Sequence, residues 1–333
     1  MRLATYNVEW FDKLFAEEGG LLNDTAPSGR HGVARAEQIT AVAAVLAAVD
    51  ADVFVIVEAP NDRSGRSTRA ALEEFAAEAG LRQRRAMIGF ANHTSQEIAL
   101  LYDPDRLTPR HAPEDCADAP RFDTELLLDL NVDDVADRVV WSKPPLEAVL
   151  TLPGGAEFRL IGVHAKSKAP HGAKTPEEVM RISIANRRKQ LAQCIWLRRR
   201  VVAHLAAGDP LIVAGDFNDG PGLDEYEKLF GRSGVEIVLG EAGAHRLFDP
   251  HAAQALQARF AMPTTSRFWL AREGRYLQAL IDYVMVSPDL RACGPRWRIW
   301  HPFDDPECFA NEALRSALLT ASDHFPVSLD ITL

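Results

Sequence analysis

The sequence predicts an α/β fold, α+β in its irregular alternation, built on mixed β-sheets. Three observations carry that prediction. Eight apolar runs rich in Val, Ile and Leu, at residues 3–8, 53–57, 98–102, 146–152, 158–163, 211–214, 280–286 and 326–333, have the length of strands. Helical-period segments separate some of these runs but not others, and 146–152 meets 158–163 across Pro153-Gly154-Gly155 like a hairpin. Strand-like sequence also stands at both ends, which suggests one closed unit over 1–333. Irregular alternation of this kind fits mixed sheets better than a purely parallel βαβ sheet.

The elements follow in order. The run at 3–8 opens the chain. A helix is predicted over 33–49, where Ile39, Val42, Leu46 and Val49 recur at helical spacing. The run at 53–57 is apolar throughout, as a strand buried on both faces requires. A second helix spans 68–79 on the stripe Leu72, Phe75, Ala76 and Ala79, with Gly80 placed to end it. A long helix is predicted over 176–205, with Pro176 in its first turn, and a short one over 223–230. The last run alternates Val327-Ser328-Leu329-Asp330-Ile331, the period of a half-buried strand. Residues 17–32, 111–121 and 303–312 carry Pro, Gly, Asp and Asn and read as surface loops. No repeat, low-complexity tract or interdomain linker interrupts the pattern.

Composition narrows the function. No apolar run is long enough to span a bilayer. The opening Met-Arg-Leu-Ala-Thr-Tyr-Asn enters a strand pattern directly, so no secretory leader is expected. Cys116, Cys194, Cys293 and Cys308 are far apart and lack CxxC pairing. Free thiols in a reducing cytoplasm are therefore expected rather than disulfides or a zinc site. The formal net charge of −10 argues against bulk nonspecific binding to nucleic acid. Yet residues 164–200 hold ten Lys and Arg against Glu177 and Glu178, a local block suited to an anionic substrate or to a solvated helix face.

Polar groups that could do chemistry stand where apolar runs end. Glu58 closes the run at 53–57; a hard divalent cation takes oxygen ligands and only one or two protein carboxylates. Asn7, within or just beyond the first strand, could be a neutral ligand beside it. Asp216 and Asn218 follow the strand at 211–214 and, two apart on an extended segment, would point the same way. Asp216 could take a proton from an attacking water and Asn218 could hold developing charge. His164 ends another strand, with Lys166 and Lys168 close by, an anion-contact arrangement. Asp282 interrupts an apolar run and is costly to bury unpaired. His324 is its natural partner, and the pair would keep the imidazole charged. Asp323 and His324 are adjacent, so both reach one site only if the backbone turns before Pro326.

Thr5-Tyr6-Asn7-Val8, the strand ending in Glu58, Glu97 through Tyr102, Gly162-Val163-His164, Gly215-Asp216-Phe217-Asn218, Ile281-Asp282-Tyr283 and Ser322-Asp323-His324 occur in this order. Together they resemble the deoxyribonuclease-I-like endonuclease/exonuclease/phosphatase superfamily over nearly the whole chain. The resemblance implies a four-layer α/β-sandwich, two packed mixed β-sheets flanked by helices, and divalent-metal-dependent cleavage of a phosphoester. It implies Mg²⁺ (Mn²⁺ as a substitute) held by Glu58 with Asn7 and Asp323 near it. It further implies water and phosphate handled by Asp216 and Asn218, phosphate contacts from His164 and His324, and Asp282 supporting His324. In the nuclease branch, aromatics at the Phe268-Trp269 position line the substrate groove; packing within a hairpin is the plainer role for them. Glu97 occupies a position where relatives carry an acidic partner for the His164-type histidine. Nucleic acid is the expected substrate and partner, with Lys166 among the contacts. A phosphatase or phosphodiesterase of small or lipid phosphates, and a catalytically silent binding protein, are the alternatives.

Overall fold

In a computed structural model of the chain, describing residues 1–91, 96–129, 136–170, 172–221, 231–257, 262–271 and 273–333, the apolar runs pair into two large sheets. The strands are β1 Arg2–Asn7, β2 Val53–Pro60, β3 Arg85–Ile88, β4 Gln96–Tyr102, β5 Thr108–His111, β6 Leu126–Leu128, β7 Asp137–Val139, β8 Leu146–Thr151, β9 Glu157–His164, β10 Leu211–Asp216, β11 Ser266–Leu270, β12 Arg275–Ala279, β13 Asp282–Val286, β14 Arg296–Ile299 and β15 Val327–Asp330. One sheet has the order β14-β15-β1-β2-β4-β3, the other β13-β10-β9-β8-β5. Both are mixed: β1 runs parallel to β2, and β9 parallel to β10, while their other neighbours are antiparallel.

The period of two explains the layers. Val53, Val55 and Val57 point inward to meet Leu146, Leu160, Ile212 and Val284 of the facing sheet, all fully buried. Phe54 and Ile56, between them, point outward onto a helical layer. That layer is α1 Arg35–Val49 and α2 Thr68–Glu78, with the later helix Glu312–Ala321 beside α1. The second sheet is covered by α3 Pro176–Ala207 and α4 Gly234–Leu239. Helix–sheet–sheet–helix is the four-layer sandwich the family resemblance implies. Each Val or Leu buried in this way contributes roughly 1.5–3 kcal/mol. Gly162 lies at the seam, where a Cβ would stand 3.1 Å from both Val55 Cγ1 and Ile98 Cγ2. The remaining helices are α5 Pro250–Leu256, α6 Pro288–Ala292, α7 Pro306–Ala310 and α8 Glu312–Ala321.

Several expectations shift. The predicted loop at 303–312 contains α7, capped by Asp305 accepting from the Glu307 and Cys308 amides, and the start of α8, capped by Asn311. The run at 280–286 pairs only from Asp282, and 326–333 only over Val327–Asp330. The predicted helix at 223–230 lies outside the described residues. All four cysteines are free thiols. The basic block at 164–200 does not face one way. Arg187 pairs with Asp219 at 2.7 Å, Lys168 with the same carboxylate at 2.5 Å, and Arg200 with Glu147 at 3.0 Å, all three cations being wholly or largely buried. Much of its charge is structural, contrary to a block that faces substrate as a whole. No described helix is long and apolar enough to cross a membrane.

Candidate active site

Strand direction gathers the predicted residues at one edge of the sandwich. Asn7 ends β1, His164 ends β9 and Asp216 ends β10, three strands whose ends lie together. Asp282 begins β13 directly opposite Asp216. Glu58 sits at a bulge in β2, where the register with β4 shifts between Val57 and Ala59. Gly215 precedes Asp216 at φ +146°, and a Cβ there would stand 2.0 Å from the Val163 carbonyl oxygen, so only glycine fits.

Hydrogen bonds and close contacts link most of these side chains into a cluster. Asp216 Oδ2 accepts from Asn7 Nδ2 at 3.0 Å and from Asn218 Nδ2 at 3.1 Å, while its Oδ1 accepts from the Asn218 amide at 2.7 Å. His164 Nε2 lies 3.8 Å from Asp216 Oδ2. His324 Nδ1 meets Asp282 Oδ2 at 2.9 Å, and its Nε2 faces Asn7 Nδ2 at 3.4 Å and Asp323 Oδ1 at 3.8 Å. Thr265 Oγ1 donates to Asp282 Oδ2 at 2.8 Å. Glu58 Oε2 accepts from the Trp10 amide at 3.3 Å and from Gln96 Nε2. Asp323 and His324 both reach the cluster because residues 322–325 precede β15: Ser322 Oγ donates to the Asn7 carbonyl at 2.7 Å and accepts from the His324 amide at 3.1 Å.

One premise fails. Asn218 is not on an extended segment; it is left-handed, φ 50°, and curls back onto Asp216 and the Ala165 carbonyl. Among the described residues four that are not glycine have positive φ, and three are Trp10, Glu58 and Asn218. Backbone strain of about 1–3 kcal/mol per residue is thus concentrated at this edge.

Electrostatics divide the groups. Burial, reinforced by Asp282, pushes the Asp216 carboxyl up to about 7, against the pull of His324. Burial also pushes Asp323 up to about 7, with His324 opposing and Glu9 and Glu58 adding repulsion. Glu58 is raised by burial as well. Burial pulls His324 down, but Asp282 outweighs it and holds the imidazole well above its ordinary value. His164 is held well below, by burial and then by Lys143 and His324.

The cluster fits a hard divalent cation. Asn7 Oδ1 and Asp323 Oδ1 are buried without a hydrogen-bond partner, and Glu58 and Asp323 are carboxylates raised by burial. All three supply oxygen, the donor that Mg²⁺ and Mn²⁺ prefer. Asp216, Asp282 and His324 also place ligand atoms within 4.8 Å of one another, but both His324 ring nitrogens already face protein groups.

Phe268 reaches the cluster, its ring edge-on to His324 with centroids 5.5 Å apart. Trp269, next along β11, turns the other way, as strand alternation demands. It is 40% exposed, 4.9 Å from Tyr276 and stacked at 6.4 Å on His31. Lys166, partly buried, lines a cavity of about 390 Å³ between β7 and α3 together with Lys189 and Arg188. Neither Lys166 nor Lys189 has a carboxylate partner among the described residues. Glu97 is buried and accepts from the Asp62 amide at 3.4 Å; its neighbour Gln96 is the β4 side chain bonded to Glu58. Sequence reasoning missed Gln96, Lys143, Thr265 and Trp10. Lys143 Nζ lies 2.5 Å from Gln96 Oε1 and 3.2 Å from His164 Nδ1. No local signal marks it, since it follows an exposed Ser142 in a proline-rich connection.

A two-sheet sandwich with acidic, imidazole and carboxamide groups collected at the strand ends is an arrangement suited to phosphoester hydrolysis. The chain belongs to the Endonuclease/Exonuclease/phosphatase family, whose sequence model matches residues 4–324. Its fold is similar to that of truncated Caenorhabditis elegans TDP2, at 13% identity and TM-score 0.51, covering 100% of this chain and 97% of that one. It is also similar to D. rerio TDP2 humanized by 14 mutations (12%, TM-score 0.50, 100% and 99% covered). A third similar structure is the Bacteroides thetaiotaomicron mannosyl-6-phosphatase (16%, TM-score 0.50, 100% of both chains). At such identities the likeness concerns fold alone. No curated protein matches the chain at a significant level.

Proposed function

We propose that the chain, as a single catalytic domain, is a divalent-metal-dependent phosphodiesterase acting on nucleic acid. The observation that carries this reading is the convergence of Asn7, Glu58, Asp216, Asp282, Asp323 and both histidines at one edge, beside an exposed rim of aromatics and cations. Glu58, Asn7 and Asp323 would hold Mg²⁺ or Mn²⁺. When bound, the cation supplies charge stabilisation to phosphate and departing oxygens. Asp216, with a pKa near neutrality, accepts the proton of the attacking water as its oxygen bonds to phosphorus and the bond from phosphorus to the departing oxygen breaks, its electron pair leaving with that oxygen. Asn7 and Asn218 hold the Asp216 carboxylate in place. His324, kept cationic by Asp282, and His164 donate to non-bridging oxygens, where charge grows.

The rim supports nucleic acid over a compact phosphoester. Trp10 and Tyr276 are 39% and 46% exposed. Lys13 Nζ lies 3.8 Å over the Trp10 ring and Arg267 3.2 Å over Tyr276, while Phe303 is exposed near Arg267. Aromatic faces interleaved with cations suit bases and phosphates. The β11 strand carrying Arg267 and Trp269 joins the centre directly, since the Arg267 amide donates to the Asp323 carbonyl at 2.7 Å. Lys166 and Lys189 extend positive charge from the other side.

The test is a panel: plasmid, single-stranded DNA, abasic duplex, RNA and phosphomonoesters, with Mg²⁺ or Mn²⁺, and Glu58→Ala as control. Cleavage of a nucleic acid that weakens steeply with salt and vanishes in Glu58→Ala is the expected result. Full turnover by Glu58→Ala would overturn the site. Salt-insensitive turnover of phosphomonoesters alone would overturn the substrate.

A further inference from the structure

The two histidines of the cluster have opposite partners. His324 Nδ1 faces a carboxylate, Asp282, at 2.9 Å. His164 Nδ1 faces an ammonium, Lys143, at 3.2 Å. An ammonium has three protons and no lone pair, so it can only donate. His164 Nδ1 must therefore accept, and the one proton of the neutral ring falls on Nε2. Nε2 is the atom directed at Asp216 Oδ2, 3.8 Å away. Lys143 is itself held by Gln96 Oε1 at 2.5 Å, and Gln96 Nε2 in turn donates to Glu58. A chain of contacts thus runs Glu58–Gln96–Lys143–His164 and ends 3.8 Å from Asp216.

We propose that Lys143 is a positioning residue that holds His164 as the neutral, Nε2-protonated tautomer and carries the positive charge of that side of the phosphate pocket. The alternative, a cationic His164, would form an ion pair with Asp216 and suppress the carboxylate's capacity to take a proton. With the charge placed one residue further out, on Lys143, the imidazole still donates through Nε2 and Asp216 stays available. Two of the three ammonium protons are used, which leaves one for a substrate oxygen. The electrostatics agree: burial and then Lys143 disfavour a charged His164. Burial lowers Lys143 as well, while Glu58 and Asp216 oppose that.

The proposal rests on the reading of the cluster as a phosphodiester-cleaving centre, but its first test needs neither metal nor substrate. In ¹⁵N-histidine-labelled, metal-free protein, His164 is expected to show a protonated Nε2 and an unprotonated Nδ1 at neutral pH, beside a doubly protonated His324. Lys143→Met should release His164 into a mixture of tautomers, with kcat reduced about 10²-fold or more and KM little changed. Lys143→Arg should restore both. Lys143→Gln keeps a donor for Nδ1 without the charge; it should retain the tautomer and still lose kcat. A doubly protonated His164 in the wild type would overturn the proposal, as would an unchanged tautomer in Lys143→Met. Should Lys143→Met fail to fold, the wild-type spectrum and Lys143→Gln decide. If the wild type cleaves no phosphoester, the proposed function falls and the tautomer still stands or fails by its own spectrum.

Discussion

Asp282→Asn isolates one charge in the centre without changing its shape. The pair it breaks is buried, with Asp282 and His324 only 2% and 5% exposed and 2.9 Å apart. At an effective dielectric of about 20, two unit charges at that distance attract by about 6 kcal/mol. Desolvation takes back part of this, and removing one partner of such a pair costs about 3–5 kcal/mol when the other stays charged. His324 will instead lose its proton, because burial is then the largest influence left on it. The variant therefore forfeits one charged donor to phosphate. A hydrogen bond to a charged group is worth about 1.5–3 kcal/mol, which corresponds to roughly a 10- to 100-fold loss in kcat. The pH dependence has a definite sign. In the wild type the folded His324 pKa is raised, so its stabilisation is complete below the unfolded value of 6.5 and is lost only as pH rises through the higher folded value. In Asp282→Asn the imidazole deprotonates at lower pH, so the alkaline fall of kcat should move to lower pH, while the acid limb still follows protonation of Asp216. Steady-state kinetics on a phosphodiester against pH, with urea unfolding at the same pH values, measure both effects. A variant whose pH–kcat profile runs parallel to the wild type's would refute the reasoning.

Trp269→Ala should weaken binding of single-stranded nucleic acid by about 1–3 kcal/mol per stacked base and leave turnover of a small chromogenic phosphodiester unchanged. Fluorescence titration of the Glu58→Ala protein, with and without the second substitution, measures it, and equal affinity would remove the rim from substrate binding. Metal-free protein should lose stability as pH rises. Asp216 and Asp323 have folded pKa values raised from 3.8 to about 7, so the stability they contribute is full below 3.8 and lost as pH passes about 7. Mg²⁺ should offset that loss at neutral pH and do little in acid; thermal unfolding with and without the ion across pH checks this, and a pH-independent shift would contradict it.

The fold was legible wherever burial writes a period into the chain. β2 has no polar residue between Val53 and Val57 because both of its faces are covered, and such a run is visible without neighbours. The edge strands β5 and β14 were not visible: Thr-Pro-Arg-His and Arg-Trp-Arg-Ile are half solvated, and only the ladders to β8 and β15 make them strands. Helix α8 did have a signal, Asn311 as cap with Leu314, Leu318 and Ala321 at helical spacing, but it follows a stretch rich in Asp and Pro that reads as loop. At the site, carboxylates that end apolar strands are conspicuous, so Glu58 and Asp216 stood out. Gln96 and Lys143 did not, because an amide at a strand start and a lysine in a connection are ordinary until the fold brings them to Glu58 and His164. The basic block misled for the converse reason. Charge is readable in sequence, but Asp219 and Glu147, which neutralise Arg187, Lys168 and Arg200, come from other elements.

The same distinction explains why this edge is costly to the fold. Three left-handed backbones, three carboxyls pushed toward protonation and three buried oxygens without donors all lie within the cluster. None of these improves packing, and the strain alone amounts to about 1–3 kcal/mol per residue. The interlocked valines and leucines between the sheets stabilise a framework stiff enough to hold them. Two of these features would be relieved by one event: a cation would satisfy the unpartnered oxygens and favour the ionised carboxylates, while the Glu58 and Asn218 backbones hold their side chains in place for it and for Asp216. Much of this local cost is therefore matched to what a metal and a phosphate would add.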